Sequence, residues 1–579
     1  MFDLLNNPLS RRRLLQWAGG SALGFSSRFA ALGSLGAMGI ASAQAAGTAA
    51  DDYRALVCIY LSGGNDAFNL LVPTDAATYA AYASNRTRLA VPLGNLLPIS
   101  PKHSDGHSYG LHGSARELQT LFNNGMLGFV ANVGSLVAPI SKADYDAGRN
   151  LPPQLFSHDD QSFQWMTGRP DSLEPAGWAG AMGELLQSSN AGNGLSLNLS
   201  VAGNNLLQTG PASAPYSVDP SGLSPIWPIG NDQPAGRIAA FKALVGQAQA
   251  SGNLLEGASG GALAGTLNLS GLVGGALAQG KPLATVFPQT DLGQQLAMVA
   301  KLIGARSQLG AKRQIFFVNF YGFDTHDDQA NAQPTLFQTL SQALFAFYQA
   351  TQEMGVANNV TSFTASEFGR TLTSNDGGTD HGWGSHHLVM GGAVKGGDIY
   401  GTMPTIALNS PDDADRGAMI PTTSLYQYFA TLGRWLGVAD ADLNSLFPGL
   451  SRFNANSLGI LPAGQSSFTL QRSLAGSQIS YRCVVTPMPA DVGKTVNIYI
   501  GALAGGSLYV RNGTAWVPST AAVIPAAATI VAGSAFTVDI ASLSVGDNAN
   551  LAGVQLYVGY GVNQADMLNG KIAYVGAVQ

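Results

Sequence analysis

The stretch YRALVCIYL (residues 53–61) is almost entirely apolar and has the length of a β-strand. An apolar run of this kind is typical of a strand that is buried on both faces of a parallel sheet. It is followed directly by SGGND (residues 62–66), a glycine-rich turn that ends in the carboxylate of Asp66. The stretch therefore predicts a buried strand with a polar loop at its carboxyl end.

Strand-like and helix-like segments alternate from this point onward. Further apolar runs predict strands at MLGFVAN (126–132), QIFFVNF (314–320) and VTSFTA (360–365). Helical patterns cover residues 114–124, 177–188, 292–309, 334–354 and 422–436. Ser114 and Glu117 have the spacing of a capping box, and Pro334 suits a first helical turn. The alternation predicts an α/β fold with a mostly parallel sheet flanked by helices.

The pattern changes after Pro462, where helical periodicity disappears. The pair Asn512-Gly513 lies between LYVR and TAWV, which is a strong hairpin signal. We therefore expect residues 47–455 to form the α/β domain and residues 466–579 to form a small antiparallel β-sandwich. Within the first domain, residues 203–285 are rich in Gly, Ala, Pro and Asn and are interpreted as a flexible insertion.

The composition excludes several classes of protein. Charged residues make up 11% of the 579, against about 25% in an average soluble domain, and the net charge is −6. This balance argues against a strongly basic nucleic-acid-binding protein. Only two cysteines are present, which excludes a disulfide-stapled miniprotein and is best explained by two separate buried thiols.

Residues 1–46 are interpreted as an export signal. The segment SRRRLL (10–15) resembles the twin-arginine consensus, and ASAQAA (41–46) offers small-residue cleavage positions near Ala45 and Ala46. A membrane anchor is the alternative, but Ser and Gly interrupt the apolar run. We expect export by the Tat translocase to the periplasm or the extracellular space, with no stable membrane span in the mature protein.

Acidic and histidine side chains follow the predicted strand ends. These candidate metal ligands are Asp66, Asp324, His326, Glu367, Asp380, His381, His386 and His387. Because ligands bind outside the carboxyl ends of strands in open α/β sheets, we expect these side chains to meet at one edge. Carboxylates with imidazoles suit divalent ions, and the set is large enough for two, so the cofactor is predicted to be two divalent ions of Zn, Mn, Mg or Ca.

Ser157 precedes a short helical stretch in the motif SHDD (157–160). A serine at this position is most often a helix cap. It is also a position at which a hydroxyl can be activated as a nucleophile. Both interpretations stay open on the sequence alone.

Several motifs together resemble a known family of secreted bacterial proteins, DUF1501. The resemblance covers residues 53–455, and its motifs are LSGGNDAFNLLVP (61–73), FSHDDQSFQWMTG (156–168), GFDTHDDQ (322–329), TASEFGRT (364–371) and GGTDHGWGSHHLVMGGAVKGGDIYG (377–401). The proposed relatives of this family are enzymes similar to alkaline phosphatases and sulfatases. The resemblance therefore implies an alkaline phosphatase-like fold and a metal-dependent site.

The resemblance also implies roles for individual residues. Asp66 matches a first metal-binding aspartate, and Ser157 resembles the nucleophile. Asp324 and His326 resemble one ligand pair, although their Asp-x-His spacing is shorter than the usual Asp-x-x-x-His, so Asp327 or Asp328 is an alternative to His326. Asp380-His381 matches a ligand dipeptide, and His386 or His387 resembles the final histidine ligand. A Cys-x-Pro-x-Arg sulfatase signature is absent.

These observations lead to one main hypothesis and two alternatives. The main hypothesis is a hydrolase of anionic phosphate or sulfate esters, small or polymeric, in which Ser157 attacks beside two metals. Arg370 or Lys395 would hold the anion, or Arg370 would instead pair with Glu367. One alternative keeps the metals and uses water directly. The other is a non-catalytic secreted binding or assembly protein that attaches to a surface or a secreted partner through residues 466–579.

Overall fold

The computed structural model describes residues 53–223, 234–438, 440–453, 457–462, 467–488, 491, 493–504, 507–519, 524–533, 535–568 and 571–578. The predicted export signal at residues 1–46 lies outside the described residues. Strands and helices alternate in the first part of the chain, and strands dominate after residue 467.

The first part of the chain contains the larger share of the helices. Its strands are β1 (Arg54–Ser62), β2 (Leu71–Pro73), β3 (Leu97–Ile99), β4 (Tyr109–Leu111), β5 (Leu127–Gly134), β6 (Asn198–Ser200), β7 (Tyr216–Ser217), β8 (Arg313–Tyr321), β9 (Val360–Ala365), β10 (Arg370–Ser374), β11 (Thr379–His381), β12 (Ser385–Met390), β13 (Ile399–Tyr400) and β14 (Thr423–Ser424). Its α-helices are α1 (Ala67–Leu70), α2 (Ala76–Arg86), α3 (Arg116–Asn123), α4 (Lys142–Asp146), α5 (His158–Thr167), α6 (Trp178–Leu186), α7 (Ala235–Gln249), α8 (Leu254–Gln279), α9 (Asp291–Gly304), α10 (Gln329–Glu353), α11 (Leu425–Leu436) and α12 (Asp440–Leu446).

The main sheet is mixed, and β1, the strand predicted from residues 53–61, lies inside it. The strand order is β13-β5-β12-β9-β1-β8-β6-β7, with β14 also paired to β5. Strand β1 pairs in parallel with β8 and β9, and β12 is antiparallel to both of its neighbours. The carboxyl ends of β1, β8 and β9 therefore lie side by side, as expected from the apolar runs.

Strand β1 is buried on both faces. Val57 and Ile59 belong to a core that also contains apolar residues of α3, α9 and α10. Leu56 and Cys58 belong to a second core, which contains apolar residues of α5, α6 and α11. Because successive side chains of a strand point to opposite faces, one run of apolar residues joins the two helical layers through the sheet. Cys58 and Cys483 are both buried, in two separate cores, as predicted.

The interval 203–285 is more helical than the sequence analysis expected. It contains α7 and the 26-residue helix α8, and the helices approach so closely that a Cβ on Gly260 would lie 2.3 Å from the Gln249 nitrogen. Polar and apolar residues of α8 are not separated into two faces. Its sequence therefore lacks the 3.6-residue period of apolar side chains by which an amphipathic helix is recognised. Among the described residues it alone is long and apolar enough to cross a membrane by length and composition, with a mean hydropathy of 1.3.

Two predicted helix starts are wrong, each because of a tertiary contact. Helix α3 begins at Arg116 without a side-chain cap, because the Glu117 carboxylate accepts a hydrogen bond from Ser341 in α10 rather than closing a capping box. Helix α10 begins at Gln329, five residues before Pro334. Its first backbone N–H donates to the Gly377 carbonyl, so a tertiary contact starts the helix ahead of the proline.

The C-terminal part of the chain forms two antiparallel sheets. Its elements are β15 (Ser467–Ala475), β16 (Gln478–Thr486), β17 (Thr495–Ala504), β18 (Ser507–Asn512), β19 (Ala515–Pro518), β20 (Ala528–Val531), β21 (Phe536–Ser544), α13 (Val545–Asn550), β22 (Gln555–Gly561), α14 (Gln564–Leu568) and β23 (Ile572–Ala577). One sheet contains β15, β16 and β21, and the other contains β17 to β20 with β22 and β23. Apolar residues of both sheets form one core, which includes Cys483, Val538, Ile498 and Val558. The predicted hairpin at Asn512-Gly513 joins β18 to β19.

Asp66 follows β1 and forms a fully buried ion pair with Arg86 at the end of α2. The guanidinium donates to both carboxylate oxygens, at 2.6 and 2.8 Å, and both side chains are fully buried. Gln329 and Gln333 of α10 donate to the same carboxylate. The Asp66 carboxylate therefore joins β1, α2 and α10 rather than facing an open edge of the sheet.

His386 and His387 lie in β12 and are buried in the interior. The His386 Nδ1 accepts a hydrogen bond from the Asn132 backbone N–H, and the His387 ring packs 4.8 Å from Trp165. Burial lowers the pKa of each imidazole to about 3, and for His387 the charge of His386 lowers it further. Both rings are therefore neutral parts of the core at neutral pH.

We predict that Arg86→Met strongly destabilises the protein. The substitution leaves the Asp66 carboxylate buried without its counter-charge, which costs about 3–5 kcal/mol of unfolding free energy. Urea denaturation of the variant measures this cost. The matched control is Arg149→Met, which breaks an exposed pair with Asp144 and is expected to change stability little. Equal midpoints for the two variants would contradict the prediction.

We predict that the protein loses stability as the pH falls below about 6.5. In the unfolded chain a histidine has a pKa near 6.5, whereas His386 and His387 bind protons in the folded state only near pH 3. Proton binding therefore favours the unfolded chain. At pH 5 it lowers the free energy of unfolding by about 2 kcal/mol for each histidine. Denaturation curves at pH 8 and pH 5 test this. His387→Gln should reduce the pH dependence, whereas Tyr428→Phe, beside the same ring, should retain it.

Candidate metal centre

Four side chains from three segments meet beyond the carboxyl ends of β1, β8 and β9. Asp324 and His326 follow β8, His381 ends β11, and His158 is the first residue of α5. Strand β11 is brought to this edge by its antiparallel pairing with β10, in which His381 lies opposite Arg370. We call Asp324, His326, His381 and His158 the histidine cluster.

The Nε2 atoms of all three histidines point to one oxygen of Asp324. The distances from Asp324 Oδ1 are 3.1 Å to His326, 3.5 Å to His158 and 3.6 Å to His381. The His326 and His381 Nε2 atoms are 2.8 Å apart. His158, Asp324 and His381 each offer one ligand atom within 4.8 Å of the other two, so the set is close enough to share one ion.

The other ring nitrogen of two histidines faces an acceptor. His381 Nδ1 lies 2.7 Å from the Phe156 carbonyl oxygen, and His158 Nδ1 lies 3.0 Å from Glu367 Oε1. Since these oxygens only accept, both Nδ1 atoms must carry the proton. In the neutral rings the Nε2 lone pairs then point into the cluster, which is the orientation in which histidines bind metals.

Arg370 holds the Asp324 carboxylate from the buried side of the cluster. It is not available to bind an anion that enters from solvent. Its guanidinium is fully buried and lies 2.5 Å from Asp324 Oδ1. Its remaining donors bond the carbonyl oxygens of Gly63, Gly64, Phe323 and Thr379. Neither role expected for Arg370, anion binding or a pair with Glu367, appears in the structure.

Glu367 supports the cluster from the interior. Its Oε1 accepts from the Gly63 backbone N–H at 2.8 Å as well as from His158. Gly63 has φ +119°, and a Cβ there would lie 2.2 Å from the Asp324 nitrogen, so only glycine permits this approach. Glu367 is thus a partner of a histidine, whereas the sequence analysis expected it to be a ligand.

Asp380 lies at the rim of the cluster. Its Oδ1 accepts from the Asn375 side chain and lies 3.6 Å from His326 Nδ1. Its Oδ2 lies 2.5 Å from the guanidinium of Arg416. Asp380 therefore borders the histidine cluster and directs its second oxygen to Arg416.

The cluster side chains have shifted pKa values with separate causes. The hydrogen bond to Glu367 raises the pKa of His158 above its ordinary value, despite partial burial. Burial lowers the pKa of His381. Burial raises the pKa of Asp324, but the hydrogen bond and charge of Arg370 lower it by more, so the net shift is downward. Asp324 is thus an anion near neutral pH.

Ser157 is the N-cap of α5. Its Oγ accepts from the Asp160 backbone N–H and lies 2.6 Å from Asp160 Oδ2. The capping interpretation of the sequence is the one that this geometry supports. His158, the next residue, is the member of the motif that enters the histidine cluster.

The structure brings together only part of the predicted ligand set. Asp324, His326 and His381 meet, with Asp380 and Glu367 beside them. Asp66, His386 and His387 lie elsewhere, in the buried contacts described above. The alternatives Asp327 and Asp328 make local hydrogen bonds with the backbone N–H of Asp328 and the side chain of Asn331.

Sequence reasoning missed two contributors to the cluster. His158 belongs to the SHDD motif, but the predicted functional role was that of Ser157. Phe156 contributes only a backbone carbonyl, and its φ of +69° places it in the left-handed region. The available sequence signal for His158 was an imidazole beside two carboxylates at the start of a predicted helix, whereas the backbone carbonyl of Phe156 has no sequence signal.

The comparisons with known proteins give one family match and several remote structural likenesses. No curated protein matches the sequence. A sulfatase from Pseudoalteromonas sp. has a TM-score of 0.28 at 11% identity, over 76% of this chain and 80% of its own. A 2-O GAG sulfatase has a TM-score of 0.27 at 8% identity, over 79% of this chain and 82% of its own. Such low TM-scores carry no inference about fold or activity.

The family match lies on the segment that supplies most of the cluster. Residues 278–445 match the family described as "Protein of unknown function (DUF1501)". The matched segment contains Asp324, His326, Asp380 and His381, and His158 lies before it. The DUF1501 resemblance that the sequence motifs predict is therefore confirmed over residues 278–445.

Proposed function

We propose that the protein is a metal-dependent hydrolase of phosphate or sulfate esters, with a divalent ion held by His158, Asp324 and His381. His326, whose Nε2 lies 3.1 Å from Asp324 Oδ1, would be a fourth donor. The observation that carries the proposal is the convergence of three imidazole Nε2 atoms on one carboxylate oxygen. One divalent ion could take the Nε2 lone pairs of His158 and His381 and the Asp324 carboxylate as ligands together, because their ligand atoms lie within 4.8 Å of one another.

The donor set favours zinc among the expected ions. Three imidazole nitrogens and one carboxylate oxygen suit Zn²⁺, whereas Mg²⁺ and Ca²⁺ prefer all-oxygen sites. A tetrahedral ion at about 2.0–2.1 Å from its ligands needs donors about 3.3 Å apart. The three distances from Asp324 Oδ1 to the Nε2 atoms and the distance between the Nε2 atoms of His326 and His381 range from 2.8 to 3.6 Å and bracket that value.

The surrounding residues orient the cluster and leave it accessible. Glu367 and the Phe156 carbonyl hold two imidazoles in the ligand tautomer, and Arg370 fixes the carboxylate. The Asp324 and His326 side chains are about half exposed, so a substrate can reach them. A bound divalent ion supplies a Lewis acid that polarises an ester oxygen and activates water.

Two cations border the cluster, Arg370 beside Asp324 and Arg416 beside Asp380. Each offsets the charge of the carboxylate that it contacts, so a divalent ion would add positive charge beside the imidazoles. Positive charge in a partly enclosed site attracts anions such as sulfate and phosphate esters.

Water rather than Ser157 is the nucleophile in this proposal. The Ser157 hydroxyl is engaged with Asp160, both as a cap and as a donor. The cluster contains the donors for one ion, and Asp66 and the two buried histidines do not add a second. The proposal therefore keeps the ester chemistry expected from the sequence and removes the covalent serine step.

We predict one zinc ion per chain and its loss on substitution of the cluster. His158→Ala and His381→Ala should each lower zinc affinity by at least about tenfold, and Glu367→Gln by about 10–100-fold through the freed imidazole. Titration of the chelator-treated protein with zinc measures the affinity. His107→Ala is the control, because His107 pairs with Asp75 on the surface. A wild-type protein that takes up no ion would refute the proposal.

We predict that Ser157→Ala keeps both zinc and turnover. Loss of the cap costs about 1 kcal/mol of stability, while the rate on sulfate or phosphate monoesters should stay within a few-fold of wild type. A screen of such esters with the zinc-loaded protein provides the assay. Abolished turnover with zinc retained would restore Ser157 as the nucleophile. Zinc binding with no hydrolysis of any ester by the wild type would favour the non-catalytic alternative.

A further inference from the structure

Arg416 is an exposed cation that borders the histidine cluster. Its guanidinium is 54% exposed and lies 2.5 Å from Asp380 Oδ2. The other oxygen of Asp380 lies 3.6 Å from the His326 ring. One carboxylate thus separates Arg416 from the cluster.

The backbone around Arg416 is held in an unusual conformation. Arg416 has φ +54°, which lies in the left-handed region that non-glycine residues seldom adopt. The buried carboxylate of Asp413 accepts from the Asn409 and Gly417 backbone N–H groups. The carbonyl oxygen of Arg416 accepts from the Thr373 N–H of β10. The strain persists because these bonds over-determine the turn, and such strain often accompanies a functional side chain.

We propose that Arg416 binds the oxyanion of the substrate ester, exchanging Asp380 for the sulfuryl or phosphoryl oxygens. This inference rests on the proposed function, since it names the residue that recognises the substrate of the same site. The planar guanidinium presents paired N–H donors that match a tetrahedral oxyanion. The ligand class is therefore a sulfate or phosphate monoester.

The exchange is favourable because the existing pair is weakly held. Asp380 and Arg416 are 31% and 54% exposed, and ion pairs with this exposure contribute little. Arg370 cannot take the role, because it is fully buried and its donors are used by four carbonyl oxygens and Asp324. Arg416 can therefore turn to a ligand without leaving a buried charge unpaired.

The test measures binding of inorganic sulfate and inorganic phosphate to the zinc-loaded protein by calorimetry. Arg416→Gln should weaken binding of the preferred anion by about 10–100-fold, as expected for loss of charge-assisted hydrogen bonds. Arg416→Lys should recover part of the loss. Asp380→Asn should strengthen binding by up to about fivefold, because it removes the competing carboxylate. If Arg416 had a purely structural role, Asp380→Asn would not strengthen anion binding.

Arg482→Gln is the matched control, since Arg482 is 55% exposed and pairs with Asp539 in the C-terminal part of the chain. It should bind both anions as wild type does. Zinc affinity is measured on every variant, and Arg416→Gln should retain it. Unchanged anion binding by Arg416→Gln with zinc retained would overturn this inference and leave the proposed function intact. Absence of zinc binding by the wild type would overturn both, and the zinc measurement separates the two failures.

Discussion

The buried guanidinium of Arg370 joins the segments on which the cluster depends. It bonds the carbonyl oxygens of Gly63 and Gly64 after β1, of Phe323 after β8 and of Thr379 in β11. It also holds the Asp324 carboxylate. These backbone carbonyls belong to strand-end loops far apart in sequence, and each would be costly to bury without a donor. One side chain therefore donates hydrogen bonds to the carbonyl oxygens of these loops. It also positions the Asp324 carboxylate, around which the three histidines lie.

The carboxylates near this edge have separate tasks because their surroundings differ. Asp66 is fully buried against Arg86 and holds secondary structure together. Glu367 is nearly buried and holds a histidine, while Asp324 is half exposed and faces three imidazoles. The same chemical group is thus a structural counter-ion, a positioning acceptor or a candidate ligand, according to its burial and its partner.

The sequence predicted the sheet better than it predicted the site. Residues such as Val57 and Cys58 lie in a run whose burial on both faces requires an apolar side chain at nearly every position, so the pattern alone places β1. The ligand candidates Asp66 and His386 follow strands or glycine-rich loops just as Asp324 and His381 do. Their different positions are decided by tertiary partners, namely Arg86 for the aspartate and the Asn132 backbone for the histidine. Local sequence contains no record of such partners, and the same is true of the early start of α10.

The glycine content of α8 has a consequence for the energetics of opening. Its 26 residues include seven glycines, and each weakens a helix by about 1 kcal/mol relative to alanine. Positions such as Gly261 and Gly265 have no neighbouring atoms within 4 Å of where a side chain would begin, so packing does not compensate them. Backbone amides of α8 around Gly261 and Gly265 should therefore exchange with deuterium through local unfolding. The free energy of this opening should be lower than that for amides of β1. The chain would then consist of cooperative units of unequal stability, with the least stable unit removed in sequence from the histidine cluster.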